Sequence, residues 1–263
     1  MRCVVFLTLF LKFRNVVGPQ YDLSPDGAFH GNRIAVYQAY IGENFTFAEP
    51  KAALEKKGFT VVLWHGTLPP VDEFTKTLDT CCQLWVLSGT AVTLSEGHIQ
   101  TVLKFVETRQ CEAKKGLFLW GDNDPYNADA NALLKRLPFF KGSVSLLGNY
   151  QADQVLTEHP APASMRSSGH CGFKPHRLTT GLESLYEGIT IADVRDPQEI
   201  CEPIITCSDR KSHVTCLYDK DMQRVIIDGG FTRLYPDRWA KTAGTARFVT
   251  NAACYLANPM GSW

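Results

Sequence analysis

The chain has 263 residues, and its composition of 44% hydrophobic and 21% charged residues is that of an ordinary globular protein. Lysine plus arginine and aspartate plus glutamate both total 27, so the formal net charge is zero. A neutral total argues against nucleic acid and against an anionic membrane surface as binding partners. No apolar run in the sequence reaches the length that a membrane-spanning helix needs.

Four apolar segments, at 33–38, 60–65, 83–88 and 116–121, are predicted to be strands. Helical segments follow each of them, near 46–58, 71–78, 93–106 and 127–137. Thr93 and Glu96 have the spacing of a capping box, which predicts the start of the third helix. Strands that alternate with helices in this way form right-handed βαβ units in a parallel sheet.

The pattern changes after Pro138. Segment 151–176 is rich in proline, glycine and serine, and it is predicted to be a long loop of the kind that forms lids or binding loops. A strand is predicted at 187–193, and segments at 200–207, 213–218 and 223–228 are predicted to form an antiparallel meander. A final helix is predicted at 241–256.

These elements predict a single α/β domain over residues 1–263. It is doubly wound, with a mainly parallel sheet, helices on both faces and an antiparallel extension in the C-terminal half. Residues 1–31 are predicted to be an N-terminal extension. Its apolar run, 3–11, is predicted to be a buried strand or helix.

The sequence contains nine cysteines, an odd number, and none forms a Cys-x-x-Cys pair. Zinc sites need thiolates or imidazoles at short repeated spacings, so we predict no metal and no other cofactor. Reduced, mostly buried thiols in a cytoplasmic protein are the favoured interpretation. Secretion stays open, because the start resembles a weak signal sequence and Asn44-Phe-Thr46 is a glycosylation sequon.

The most informative segment, 116–127, is an apolar strand that leads into a polar loop and then a helix. Ligands bind at such junctions in parallel sheets, because the carboxyl end of the strand and the amino end of the helix meet at one crevice. These carboxylates and amides also suit local capping, or a cation site, although the spacing is not that of an EF-hand. The candidate ligand-binding residues of this loop are Asp122, Asn123, Asp124, Tyr126 and Asn127.

Further candidates for the same ligand site lie at the ends of other predicted elements. Ser88, Gly89 and Thr90 follow the third strand, and His65 ends the second. His176 lies beside the long loop. The alternative for each is structural, with a tight turn after the third strand and histidines that only complete hydrogen bonds.

Taken together, the segments of this chain resemble the class I glutamine amidotransferase-like superfamily, in its divergent branches without amidotransferase chemistry. The resemblance covers most of residues 32–257 and implies a flavodoxin-like fold. The segments that carry it are Leu87-Ser-Gly89 with Leu94-Ser-Glu96, Gly116-Leu-Phe-Leu-Trp-Gly-Asp122, Pro175-His-Arg-Leu-Thr-Thr-Gly181 with Tyr186-Glu-Gly-Ile-Thr190, and Val225-Ile-Ile-Asp-Gly-Gly230 before a closing helix with Asn251 and Leu256.

In working amidotransferases the fourth strand leads into Gly-x-Cys-x-Gly, where the thiolate is the nucleophile. The matching stretch here is Gly121-Asp-Asn-Asp-Pro125, and Asn123 stands where the cysteine would be. An amide cannot form a thioester, and no His-x-Glu sequence occurs near the C-terminus. The resemblance therefore implies that this chain is not a functional glutamine amidotransferase.

Three functions remain open at this stage. The favoured one is a non-catalytic domain that binds a small polar molecule or a protein partner at the C-terminal edge of the sheet. The second is a hydrolase or lyase for a small polar or sugar-like substrate, with Asp122 or Asp124 as acid or base near His65 or His176. The third is a structural or storage protein. A carboxylate and an imidazole within hydrogen-bond reach in a pocket would favour the enzyme, whereas side chains occupied by backbone amides would favour binding or scaffolding.

Overall fold

The computed structural model of the protein describes residues 22–110, 113–160 and 169–257. The predicted apolar element at 3–11 lies outside these residues. Within them the strands are β1 (Arg33–Gln38), β2 (Thr60–His65), β3 (Gln83–Leu87), β4 (Arg109–Gln110), β5 (Ala113–Lys114), β6 (Gly116–Trp120), β7 (Ser145–Gln151), β8 (Val155–Leu156), β9 (Gly172–Phe173), β10 (Leu185–Tyr186), β11 (Thr190–Arg195), β12 (Glu202–Thr206), β13 (His213–Lys220) and β14 (Gln223–Asp228). The helices are α1 (Ala48–Lys56), α2 (Val71–Asp79), α3 (Glu96–Glu107), α4 (Ala128–Arg136), α5 (Pro236–Trp239) and α6 (Ala243–Ala257), with short 3-10 turns at Arg177–Thr179 and Phe231–Leu234.

Eight of these strands form one sheet, in the order β2-β1-β3-β6-β14-β13-β12-β9. The first five pair in parallel, and the last three continue the sheet with antiparallel pairing. The predicted α/β fold with an antiparallel extension is therefore confirmed. The strand order places a topological switch point between β1 and β3, where successive connections leave in opposite directions.

Apolar side chains cover both faces of the sheet, because alternate residues of each buried strand point to opposite sides. On one face Trp85 and Trp120 belong to the same hydrophobic cluster as Phe248 of α6, and α1 packs beside α6. On the other face Leu84 clusters with Leu133 of α4, next to α2 and α3. The predicted arrangement of helices on both faces is confirmed.

A tight hairpin, with no crossover helix, brings β14 to its place beside β6. Asp221 and Met222 have φ values of 52° and 63°, the left-handed values that a two-residue hairpin turn with the twist of the strands requires. The reversal makes β14 parallel to β6 and sets Asp228 beside Trp120. The sequence predicted the meander but did not place its last strand within the parallel part of the sheet.

Two predicted boundaries are wrong for local reasons. Helix α3 begins at Glu96, with Ser95 as the N-cap that accepts a hydrogen bond from the His98 N–H, so the capping box at Thr93 does not form. The strand predicted at 187–193 begins only at residue 190, because Gly188 has a φ of 127°, which a strand does not allow. This strand, β11, pairs with β7, a strand that the sequence analysis did not identify.

The described parts of the predicted extension and long loop belong to the packed structure. The N–H groups of Gly27 and Phe29 donate to carbonyls at the end of α1, and the Phe29 ring stacks on Phe59 with centroids 4.4 Å apart. In the long loop, β8 pairs with β10 and β9 pairs with β12. No helix within the described ranges is both long and apolar enough to span a membrane.

Candidate functional site

The carboxyl ends of β1, β3, β6 and β14 meet along one side of the sheet, which we call the carboxyl edge. Hydrogen bonds between neighbouring strands continue into its loops: the Ser88 N–H donates to the Trp120 carbonyl at 2.9 Å. The Gly121 N–H donates to the Asp228 carbonyl at 2.8 Å. The polar loop after β6, which the sequence selected as the site, is therefore anchored by strands on both sides.

Asp122 lies directly after β6 and is only 1% exposed. Its Oδ1 accepts a hydrogen bond from the Asn123 N–H at 2.9 Å, and its Oδ2 accepts one from the Thr232 N–H at 3.1 Å. Burial raises the pKa of Asp122 to about 8, and the two N–H groups oppose that shift because they stabilise the carboxylate. The carboxyl group therefore joins the loop to the segment that follows β14.

Asn123, which the sequence resemblance aligned with the amidotransferase nucleophile, is also held by its neighbours. Its Oδ1 accepts a hydrogen bond from the Thr190 hydroxyl at 2.8 Å, and its Nδ2 donates to the Asp124 carbonyl at 3.1 Å. No residue in 121–127 has a positive φ, whereas a nucleophile is typically presented on a strained turn. Asn123 therefore has neither the thiolate nor the strained backbone of an amidotransferase nucleophile.

Asp124 fastens the loop to β7. Its Oδ2 accepts a hydrogen bond from the Gly148 N–H at 3.2 Å, and its own N–H donates to the Gly148 carbonyl at 3.0 Å. Its Oδ1 accepts from Nδ2 of Asn127 at 2.6 Å. These contacts match the part of the capping interpretation in which the side chains hold loop backbone, whereas Asn127, the N-cap residue of α4, makes no side-chain hydrogen bond to the helix amides.

The residues after β3 hold the start of α4. The Ser88 hydroxyl is fully buried and accepts a hydrogen bond from the Ala130 N–H at 2.8 Å. The Gly89 N–H points to Oδ2 of Asp129 at 3.4 Å. Thr90 is exposed at the rim. Of the three candidates in this turn, two are thus occupied within the protein and only Thr90 reaches the surface.

Asp129, in the first turn of α4, organises the loop that precedes α3. It is fully buried, and its Oδ1 accepts hydrogen bonds from the Thr93 N–H at 2.8 Å, the Thr93 hydroxyl at 3.0 Å and the Leu94 N–H at 3.2 Å. The Thr93 hydroxyl also lies 2.6 Å from the Tyr37 hydroxyl. Thr93 therefore takes part in a tertiary contact in place of the predicted helix cap.

Five aromatic residues from three separate segments pack together at the carboxyl edge, and we call them the aromatic cluster: Tyr40, Phe45, Tyr126, Phe231 and Tyr235. The Tyr40 ring centroid lies 5.0 Å from that of Phe231 and 5.5 Å from that of Tyr126. The Tyr40 and Tyr235 hydroxyl oxygens are 2.5 Å apart. These rings bridge the ends of β1, β6 and β14, so they fill the crevice where flavodoxin-like folds bind ligands.

Sequence reasoning selected only Tyr126 from the aromatic cluster. Tyr40 could have been found by the rule that selected Ser88, because it also follows a strand of the parallel sheet. Phe231 and Tyr235 follow the last strand, and their place at this edge depends on the pairing of β14 with β6. Burial of the cluster raises the pKa of Tyr235 above its ordinary value.

The outer rim of the carboxyl edge is apolar as well as polar. Ile41, after β1, is 66% exposed, and Val92, after β3, is 55% exposed. His65 is exposed at the end of β2, three strand positions from Asp122, which corresponds to about 14 Å. His65 therefore shares the edge with Asp122 but is beyond hydrogen-bond reach.

The structure places His176 away from the other candidates. It follows β9, which runs antiparallel to β12, so it lies at the opposite, amino-terminal edge of the parallel strands. Its Nδ1 accepts a hydrogen bond from the Leu178 N–H at 3.1 Å, and its ring packs against Tyr255. Burial lowers the pKa of His176 to about 4. Its inclusion with the carboxyl-edge residues is wrong, because the reversal of β9 could not be seen in the sequence.

Asp228 and Arg233 form a fully buried ion pair behind the aromatic cluster. The Arg233 Nη2 lies 3.3 Å from Asp228 Oδ1 and donates to the Glu187 carbonyl at 2.9 Å. The other Asp228 oxygen accepts from the Thr215 hydroxyl at 2.5 Å. Burial raises the pKa of Asp228, and the guanidinium opposes that shift. This pair stabilises the turn after β14 from within.

The geometry bears directly on the enzyme hypothesis. The structure does not bring Asp122 or Asp124 together with either His65 or His176, and each carboxylate is bound by N–H groups of the protein. Within the described ranges, no group of three or more His, Cys, Asp or Glu residues is arranged to hold a metal ion. The arrangement therefore favours binding or scaffolding over acid-base catalysis.

No protein-family profile matches the chain, and no curated protein matches it. Among solved structures the chain is similar to one described as the mmIFT52 N-terminal domain, with a TM-score of 0.56 and 10% identity over 85% of this chain and 97% of that chain. It is also similar to a putative ThuA-like protein from Parabacteroides merdae ATCC 43184, with a TM-score of 0.52 and 12% identity over 89% of this chain and 91% of that chain. At these identities the likeness shows the α/β flavodoxin-like fold alone.

Proposed function

We propose that the chain is a non-catalytic, amidotransferase-like domain that recognises a protein partner through its carboxyl edge. The observation that carries this proposal is the occupied crevice. Most of the polar side chains that could bind a small molecule, those of Asp122, Asn123 and Asp124 among them, are hydrogen-bonded within the protein, and the aromatic cluster fills the space above them. A small polar ligand at this edge has less support, because most of its binding groups are already used.

The exposed surface around the aromatic cluster supports a protein as the partner. Ile41 and Val92 are the two most exposed large hydrophobic residues in the described part of the chain. Tyr40, Tyr126 and Tyr235 are partly exposed at the same edge of the sheet. Tyrosine side chains held in rigid positions and ringed by apolar residues are typical of the centres of protein interfaces. A neutral net charge agrees with recognition by packing more than by long-range attraction.

Site-specific photo-crosslinking tests the proposal. A photo-reactive residue at position 41 or 92 should give a discrete adduct in a cell extract, and excess purified wild-type protein should compete it away. Ile41→Glu and Val92→Glu proteins should not compete, because a charge would have to be desolvated in the interface. Met222 is the matched control, since it is 41% exposed but lies in the hairpin at the opposite edge.

Two outcomes would contradict the proposal. One is equal adduct formation from position 222, which would show contact without a preferred surface. The other is catalysis: ammonia release from glutamine by the purified chain, abolished by Asn123→Ala, would make the bend after β6 an active site. We expect ammonia release no faster than in buffer alone.

A further inference from the structure

The zero net charge of the chain conceals an uneven distribution of charge between the two edges of the parallel sheet. Four segments run from the carboxyl end of a parallel strand to the first turn of the next helix, and they contain no lysine or arginine: 39–50, 65–73, 88–98 and 121–129. The fifth loop of this edge, 229–235, contains only Arg233, which is fully buried. The last turns of the same helices, at the opposite edge, carry Lys56, Lys76, Lys104, Lys135 and Arg136.

The cations that follow the fifth loop are already balanced within the protein. Arg238 Nη1 lies 3.6 Å and Lys241 Nζ lies 3.0 Å from Oδ1 of Asp153. Arg238 Nε also lies 3.3 Å from Oδ2 of Asp237. The loops of the carboxyl edge therefore offer carboxylates to a partner but no exposed lysine or arginine.

The helix macrodipole explains some of the acidic residues at this edge but not all of them. The first turns of α1 to α4 contain acidic residues, and the positive end of each helix partly offsets their charge. Glu43 and Asp124 are exposed in loops instead. Asp124 accepts its hydrogen bonds from the uncharged N–H groups of Gly148 and Asn127. In the described part of the chain neither carboxylate forms an ion pair, so both negative charges are left for a partner.

The aromatic cluster joins the two loops that carry these carboxylates. Tyr40 lies shortly before Glu43 and Tyr126 shortly after Asp124 in the sequence, and the two ring centroids are 5.5 Å apart. The Tyr40 ring also packs on Phe45, on the other side of Glu43 along the chain, with centroids 5.2 Å apart. Tyrosine rings attract cations, because the face of the ring is negative. The rings and the carboxylates therefore favour a cation at the same surface.

Exposed apolar side chains flank this surface. A Cβ on Gly66 would lie 3.0 Å from Cγ2 of Ile41, so the Ile41 side chain lies against the loop after β2. Val92 belongs to the loop after β3, and β3 lies between β1 and β6 in the sheet. The loops that carry Ile41, Val92 and Asp124 are therefore neighbours.

We propose that the partner recognised at the carboxyl edge presents a basic segment, in which a lysine or arginine lies beside an apolar side chain. The cation binds at Glu43, Asp124 and the tyrosine rings, and the apolar side chain packs on Ile41 or Val92. This inference rests on the proposed protein partner and specifies its chemistry. An acidic segment is disfavoured, because like charges would meet in the interface. The charges select the partner, and packing supplies most of the affinity.

NMR titration of the whole chain with two synthetic peptides of opposite charge tests the proposal. The peptides are acetyl-Arg-Leu-Arg-Leu-Arg-amide and acetyl-Glu-Leu-Glu-Leu-Glu-amide. We expect saturable amide shifts from the basic peptide, confined to the loops at 40–45, 90–93 and 123–126, with a Kd of about 1–10 mM. The acidic peptide should bind at least about tenfold more weakly. An increase in NaCl from about 50 mM to about 500 mM should weaken binding of the basic peptide, because salt screens exposed charges.

Substitution of Glu43 tests its charge directly. Glu43→Gln should weaken binding of the basic peptide about threefold, the effect of one exposed charge pair, and Glu43→Lys should weaken it further. Asp79→Asn is the matched control, because Asp79 is exposed at the end of α2, on the opposite edge of the sheet. This variant should bind the basic peptide like the wild type.

Three results would each overturn the proposed chemistry of the partner. They are equal affinity for the two peptides, no saturable shift with the basic peptide at about 10 mM, and unchanged affinity in Glu43→Gln. Crosslinking from positions 41 and 92 does not use either peptide, so a discrete adduct would then still support the partner surface. Absence of a discrete adduct would instead overturn the proposed function itself.

Discussion

Replacement of Asp129 by alanine should destabilise the protein through the loop that precedes α3. Alanine leaves four donors without their Asp129 acceptor: the N–H groups of Gly89, Thr93 and Leu94, and the Thr93 hydroxyl. A buried donor left unpaired costs about 1–3 kcal/mol. Gly89 and Leu94 are buried and Thr93 is exposed, so water can satisfy only the Thr93 groups. Two buried donors stay unpaired, and we expect a total loss of about 2–4 kcal/mol.

Urea denaturation and thermal unfolding measure this loss. For a domain of this size, 1 kcal/mol corresponds to about 2–4 °C, so the Tm of Asp129→Ala should fall by about 5–15 °C. Amide hydrogen exchange at Thr93 and Leu94 should accelerate, while exchange in β6 should change only with global stability. Asp72→Ala, an exposed acidic residue in the first turn of α2, is the control and should cost about 1 kcal/mol or less.

Two results together would refute this prediction. The free energy of unfolding of Asp129→Ala would lie within about 0.5 kcal/mol of the wild-type value, and the Leu94 amide would exchange as slowly as in the wild type. Together they would mean that the carboxylate does not hold the loop. They would also mean that the hydrogen bonds of Asp129 are dispensable for the fold.

Three further predictions concern the same edge and its supports. The raised pKa of Asp122, about 8 when folded against 3.8 as its ordinary value, means that the folded state binds more protons between these values. The urea midpoint of the wild type should therefore fall between pH 4 and pH 8 relative to that of Asp122→Asn. Parallel pH profiles of the two midpoints would contradict this prediction. Arg233→Met should cost about 3–5 kcal/mol in urea denaturation, because it leaves the Asp228 carboxylate buried and unpaired, and adding Asp228→Asn should recover part of the loss. Gly244→Ala should lower the Tm, because the added Cβ would lie 1.6 Å from the Ser184 carbonyl oxygen. In the control, Gly97→Ala, the added Cβ meets only the Val71 side chain, and the Tm should be nearly unchanged. Equal changes in Tm would refute the packing argument.

Much of the scaffold followed from local pattern. The strands at 33–38 and 60–65 match the predicted bounds, and the strands at 83–87 and 116–120 end one residue earlier than predicted. A buried parallel strand is a continuous apolar run bounded by turn residues, so its signal lies within a few neighbouring residues. The helix starts were less well predicted, since Thr93 had the spacing of a cap but bonds to Asp129 of another helix.

The candidate site was predicted only in part. The sequence placed Asp122 and Ser88 at the carboxyl edge, because the order of strand, loop and helix fixes that edge for every parallel strand. It did not show that their side chains are occupied. Oδ2 of Asp122 is bound by the N–H of residue 232, so the partner is 110 positions away along the chain. Residue types that suit ligand binding do not reveal which side chains in a loop are already hydrogen-bonded within the protein.

The amino-acid sequence by itself determined the α/β class, the parallel strands and the absence of a cysteine nucleophile at Asn123, because each is a property of one residue or one short segment. The tertiary structure alone decided that His176 lies at the opposite edge and that aromatic rings from three separate segments fill the crevice. It also decided that the β7–β11 ribbon forms a groove over β12 and β13. These features depend on which distant strands pair and in which direction, and that choice is made by packing across the whole sheet.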